Sequence, residues 1–110
     1  MNTTNYRFMR VILMFDLPVE TKVQRRVYSK FRKRLIEDGF LMLQYSVYIK
    51  SVANKDTAQQ TVSNVKYYLP KDGHVRTLII TEKQYEKMQI LLGQEDENIG
   101  ILGDNRTIIF

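Results

Sequence analysis

Apolar and polar positions alternate along the chain in a way that divides its first 81 residues into six segments. The segment from Arg7 to Phe15 holds five apolar residues in a row, Val11-Ile12-Leu13-Met14-Phe15, and reads as a strand buried on both faces. It runs directly into Asp16. Pro18, which has no N–H for a ladder, then stops it. From Glu20 to Asp38 the pattern changes to helical. Thr21 with Gln24 three residues later fits a capping box, and Gly39 stands where a left-handed C-terminal cap is wanted. Val23, Val27, Phe31 and Leu35 recur every four residues with Tyr28 beside them, so this face is expected to pack inward. Phe40 to Lys50, rich in aromatic and β-branched residues, predicts two strands with a tight turn or bulge near Gln44–Ser46. A second helix is predicted from the cap residue Asn54 through Ala58, Val62, Val65 and Leu69 to Pro70. Lys71-Asp72-Gly73 is a turn, and Val75 to Thr81 a last β-branched strand.

The order β-α-β-β-α-β predicts an α+β fold of the ferredoxin-like kind, an antiparallel sheet with two helices on one face. Such a sheet leaves its other face bare. The first strand is apolar on both faces, so a homodimer packed sheet to sheet is expected to cover it. Residues 82–110 are read as a C-terminal arm of the same single domain. Within it, Thr81-Glu82-Lys83-Gln84 predicts a helical turn, Met88 to Leu92 a short strand, and Gln94 to Asn98 an acidic loop. The arm is expected to pair with the partner sheet, and Ile108, Ile109 and Phe110 to dock on the partner subunit or on another protein. Tyr45 and Tyr48 are expected in core, dimer or partner packing. With Phe8 and Phe15 they would otherwise suggest a base-stacking platform of the RNA-recognition type, but the third strand, Ser46 to Lys50, lacks that family's glycine-aromatic signature.

Charge sharpens the functional reading. The chain has 110 residues, 17 of them Lys or Arg against 12 Asp or Glu, and a net charge of +5. That balance favours polyanionic partners. The absence of cysteine excludes disulfides, a thiolate metal site and a cysteine nucleophile. The longest apolar run near the N-terminus is too short for an export signal or a membrane span, so a cytoplasmic protein with no membrane association is expected. The positive charge is concentrated. Lys22, Arg25, Arg26, Lys30, Arg32, Lys33 and Arg34 fall within thirteen residues of the first helix, most of them opposite its apolar stripe. This predicts a phosphate-binding face, with backbone rather than base-specific recognition.

Asp16 is the candidate for chemistry. Alone it would be a turn residue in an Asp-x-Pro context. Two copies facing each other across a dimer axis would instead supply the carboxylates that Mg²⁺ normally uses, and a cation there could support phosphodiester cleavage. His74, the only histidine, is read as a surface residue without a partner.

The strand ending in Phe15-Asp16, the basic helix with Arg25 and Arg26, the Gly39-Phe40 helix stop and Gln44-Tyr45-Ser46-Val47-Tyr48 together resemble a known family. It is the small CRISPR-associated adaptation protein, the "protein two" family that accompanies the spacer integrase. The likeness covers residues 8–90, and the wording around Asp16-Leu17-Pro18 and Gly39 to Tyr48 is most similar to the variant of type II systems. The resemblance implies a ferredoxin-like homodimer that bridges two integrase dimers, with double-stranded protospacer DNA lying along it. It also implies a Mg²⁺ site, with Mn²⁺ as a substitute, at Asp16 as the metal-binding and catalytic residue. Some members act as metal-dependent endonucleases on RNA or double-stranded DNA. Phe15 stands where the family frequently carries Tyr. Two alternatives from other classes are a toxin-like ribonuclease of the same fold and a non-catalytic RNA-binding module.

Overall fold

The functional face follows from how one strand is shared between two packing layers. The computed structural model of the protein describes residues 8–93, arranged as β1 (Met9–Asp16), α1 (Lys22–Glu37), β2 (Leu41–Gln44), β3 (Val47–Val52), α2 (Lys55–Val65), β4 (His74–Thr81) and α3 (Glu82–Glu86). A single 3₁₀ turn, Lys66–Tyr68, extends α2. The four strands form one sheet in the order β2-β3-β1-β4, every neighbour antiparallel. This is the ferredoxin-like order, with the most apolar strand, β1, in an interior position. Residues 1–7 and 94–110 lie outside the described residues, and with them the start expected for the first strand at Arg7, the acidic loop and the expected contacts of Ile108, Ile109 and Phe110.

The local signals behave as their chemistry dictates. Thr21 caps α1 with the full reciprocal box: the Gln24 backbone N–H donates to Thr21 Oγ1 at 3.1 Å, and Gln24 Oε1 accepts from the Thr21 backbone N–H at 2.9 Å. Gly39 takes φ +97° and lets the chain leave the helix so that Phe40 is buried. Asn54 Oδ1 caps α2 by accepting from Thr57 N–H at 2.8 Å. The hairpin between β2 and β3 turns at Tyr45 and Ser46, with Ser46 at φ +65° and a register shift between Met42 and Gln44.

Alternate residues of β1 serve opposite layers. Val11, Leu13 and Phe15 pack beneath the helices with Phe31, Leu35, Tyr48, Ala58 and Val65. Arg10, Ile12, Met14 and Asp16 occupy the other face, where Ile12 and Ile49 pack with Leu43, Val47, Ile80 and Tyr85. Met14, Leu41 and Leu78 are exposed apolar residues on that open face.

Three expectations are corrected. Val23 and Val27 do not point into the core; they are 64% and 41% exposed, and only Phe31 and Leu35 of that stripe are buried. A spacing of four advances about 40° around the helix at each step, so a series of four turns away from the core. Gln24 and Tyr28 are half-buried instead, and the two valines line a shallow groove with Leu17, Pro18, Leu69 and Pro70. Met88 to Leu92 forms no strand in the described chain, and Leu91 and Leu92 are almost wholly exposed; no described strand stands beside them as a ladder partner. Finally, the open face is not purely apolar. Arg10, fully buried, donates from Nε and Nη2 to the two carboxylate oxygens of Glu82 at 2.7 and 3.0 Å, and lies 3.8 Å from the Tyr85 ring centroid. One short helix, α3, thus covers one end of the open face.

Candidate functional site at the end of the first strand

Asp16 lies at the opposite end of the open face from Arg10, exposed to solvent. Its backbone is held from two sides. On the β3 side, the Phe15 N–H donates to the Ser46 carbonyl at 3.1 Å and ties the hairpin turn to the strand end. On the β4 side, Gly73 at φ +104° passes so close that an added Cβ would lie 2.6 Å from both the Asp16 carbonyl oxygen and Leu17 Cδ2. Glycine is required here for both conformation and space. The turn at Gly73 delivers His74, whose Cα is the register partner of Asp16. Residues directly opposite in an antiparallel pair share a face, so the histidine read as partnerless stands beside the candidate acid.

An aromatic column rises next to this strand end. Tyr48 stacks on Phe15 with centroids 5.7 Å apart, Phe15 meets Tyr28 at 5.5 Å, and Tyr28 stacks on Tyr45 at 6.2 Å. Tyr45 caps the column at the surface, 76% exposed. A hydrogen bond with Tyr28 holds the Tyr45 phenol above its ordinary pKa. Tyr48 is wholly buried on the helix side, so of the two tyrosines expected at a dimer or partner contact only Tyr45 is placed to make one.

The basic residues of α1 are all exposed. They are not equivalent. Arg25 donates from Nη1 to the carbonyls of Val19 and Glu20 at 3.1 and 3.0 Å and thereby braces the loop that follows Asp16. Arg34 lies 4.5 Å from the Tyr68 ring centroid and 3.6 Å from Asp38. Lys22, Arg26, Lys30, Arg32 and Lys33 carry the outward charge. Asp16 and the start of this helix are joined by the five residues 17–21, so Lys22 follows the acid closely in sequence, while Lys30 to Arg34 lie about two to three turns further along the helix.

The family model described as "CRISPR associated protein Cas2" matches residues 9–88. The chain belongs to the Cas2 family. Its curated relatives named "CRISPR-associated endoribonuclease Cas2" include one from Ligilactobacillus salivarius, 48% identical over 92% of this chain and 99% of that relative. One from Lacticaseibacillus rhamnosus is 42% identical over 92% of this chain and all of its own length. The Campylobacter jejuni relative is 51% identical over 79% of this chain and 61% of its own length. In this Cas2 family member the matched region contains the whole sheet, the basic helix and Asp16. No described helix is long and apolar enough to cross a membrane. Among the described residues no three His, Cys, Asp or Glu side chains gather into a metal-sized group. A divalent cation at Asp16 therefore fits the donor set only if a second copy contributes to it.

Proposed function

We propose that the protein is a nucleic-acid-binding scaffold of CRISPR spacer acquisition, working as a two-fold homodimer that holds double-stranded DNA along its basic helices and bridges dimers of the spacer integrase. A slow endonuclease activity at Asp16, dependent on Mg²⁺ or Mn²⁺, accompanies that role. The observation that carries this reading is the position of Asp16: exposed at the end of an otherwise largely apolar open face, with the cationic helix beginning a short loop later at Lys22.

An open face bearing Ile12, Met14, Leu41, Ile49 and Leu78 is the surface that a second sheet would cover. Packing two such faces about a two-fold axis places two Asp16 residues in the same interface. Two carboxylates in proximity repel, and a hard divalent cation offsets that repulsion and supplies charge stabilisation to a cleaving phosphodiester. The chain's own part is to fix the main chain from which the Asp16 carboxylate projects, through Gly73 and the Phe15–Ser46 hydrogen bond, and to bind the nucleic-acid backbone through Lys22, Arg26, Lys30, Arg32 and Lys33. No general base other than His74 stands beside Asp16 in the ladder, which suits a slow reaction. RNA is the alternative substrate, supported by the endoribonuclease names of the relatives. The same carboxylate and the same basic residues would serve it.

Light scattering at low micromolar concentration tests the dimer on which this rests. The expected mass is twice the 13.1 kDa of one chain, falling to one chain in Leu78→Asp. A wild-type mass of one chain contradicts the proposal.

A further inference from the structure

We infer that the groove between α1 and the loop before β4 is a docking site for an acidic amphipathic segment of a partner protein, one with aliphatic side chains along one face and carboxylates beside them. The groove lies on the helix side of the sheet, away from the open face, so neither the dimer nor Asp16 enters into it.

The sequence builds this groove from residues that the core leaves out. Val23 and Val27 lie one turn apart on α1 and face away from the buried layer, 64% and 41% exposed. Across from them the chain leaves its 3₁₀ turn at Leu69, which takes extended backbone with ψ 142° because Pro70 follows it. Leu69 is thereby exposed rather than packed. Two depressions, of about 520 and 460 Å³, share Val27, Leu69 and Pro70 and so form one continuous groove, with Leu17 and Pro18 at its far end. Along α1 it runs from Val23 to Glu37, a length of about 21 Å by helical rise.

Charge and shape select the occupant. The ionic residues of the groove are Lys30, Lys33, Arg34 and Lys71 against Glu37 and Asp72. Arg34 is already engaged by Asp38 and by the Tyr68 ring, whereas Lys30 and Lys33 have no ion-pair partner among the described residues. Two uncommitted ammonium groups beside an aliphatic floor match carboxylates attached close to aliphatic side chains. Single-stranded nucleic acid, the other polyanion, fits less well. Its bases bind by stacking on open rings, and of the two rings here Phe31 is buried and Tyr68 is covered by Arg34. An amphipathic helix laid in the groove would meet Val23, Val27 and Leu69 with its apolar stripe.

The test uses the isotope-labelled full chain and synthetic peptides of about 14 residues, the length of the groove in helical form. One peptide carries leucine on one helical face and glutamate elsewhere. A second has lysine in place of glutamate, and a third has the residues of the first in an order that destroys the face. Single-stranded and duplex DNA complete the panel. The leucine–glutamate peptide should shift the amide signals of Val23, Val27 and Leu69, and the other two peptides should not. Its affinity should fall at least about tenfold in Val27→Asp, which puts a charge on the apolar floor, and in Lys30→Glu combined with Lys33→Glu, which reverses the rim. All the altered side chains are exposed, and thermal denaturation with light scattering confirms that each variant keeps the wild-type fold and mass. Shifts that miss these three residues, or equal affinity for wild type and a folded variant, overturn the inference. So does DNA that moves the three signals where the peptide does not, which would make the groove a nucleic-acid site.

Discussion

Asp16 and His74 stand opposite each other at one end of the β1–β4 ladder, while Arg10 and Ile80 are paired near the other end of the same face. The open face is thus apolar in its middle and chemically distinct at its ends. Arg10 is sealed beneath α3 by Glu82 and Tyr85, whereas Asp16 and His74 are left in solvent. A sheet-to-sheet partner would meet both.

The Gly73 turn is expected to be the least tolerant position of the site. Gly73→Ala must accept φ +104° and a Cβ 2.6 Å from the Asp16 carbonyl oxygen. The left-handed conformation alone costs about 1–2 kcal/mol, and the clash adds to it. Urea denaturation should give a lower midpoint, and cleavage should fall in the fraction that remains folded.

Removing Glu82 tests the buried end of the face. Glu82→Ala withdraws the carboxylate that accepts from Arg10 Nε and Nη2 in a buried ion pair, which should cost about 3 kcal/mol. Arg10→Met combined with Glu82→Leu should recover most of that loss, because apolar groups of similar size then replace both members of the buried pair. Thermal denaturation of the single and double variants checks both statements.

The basic helix should bind duplex DNA without sequence preference. Arg26→Ala with Lys33→Ala removes two outward charges that have no structural task in α1. The slope of log K against log salt should shrink by roughly 0.9 for each phosphate that is no longer neutralised. Arg25→Ala should differ, since Arg25 also braces Val19 and Glu20; it should lower stability as well as binding. Filter binding across a salt series, with denaturation alongside, separates the two.

Alkaline pH should weaken the fold through Tyr68. Burial, with the hydrogen bond that its hydroxyl donates to Asp38 at 2.8 Å, pushes this phenol far above its usual range. The folded state therefore keeps the proton after the unfolded state begins to lose it near pH 10. The stabilisation is full below that pH and is lost as pH rises above it. Tyr68→Phe should flatten the alkaline limb of the stability–pH curve.

Much of this architecture is written in short-range signals. The Thr21–Gln24 box, the Gly39 stop, the Tyr45–Ser46 turn and the Asn54 cap each depend on a few neighbouring residues, and each is found where the residue types place it. The order of elements, and with it the ferredoxin-like sheet, follows from them. What the sequence conceals depends on distant pairing. That His74 meets Asp16, and that Glu82 neutralises Arg10, are facts of strand register and of where α3 lands; no local pattern encodes them. The face that Tyr48 occupies follows only from its pairing with Leu13. Val23 and Val27 mislead because a spacing of four resembles a helical stripe over two turns and departs from it over three. Asp16 itself is legible, since a lone acid ending a five-residue apolar run is conspicuous.

The most direct test of the account is a side-by-side cleavage assay of highly purified wild type and Asp16→Ala on the same RNA and duplex DNA, with Mg²⁺, with Mn²⁺ and with chelator. Wild type should cleave only with a divalent ion, and Asp16→Ala should not cleave at all, while both show the same dimer mass and the same duplex DNA affinity. Equal cleavage by wild type and variant would contradict the account and return Asp16 to the role of a turn residue.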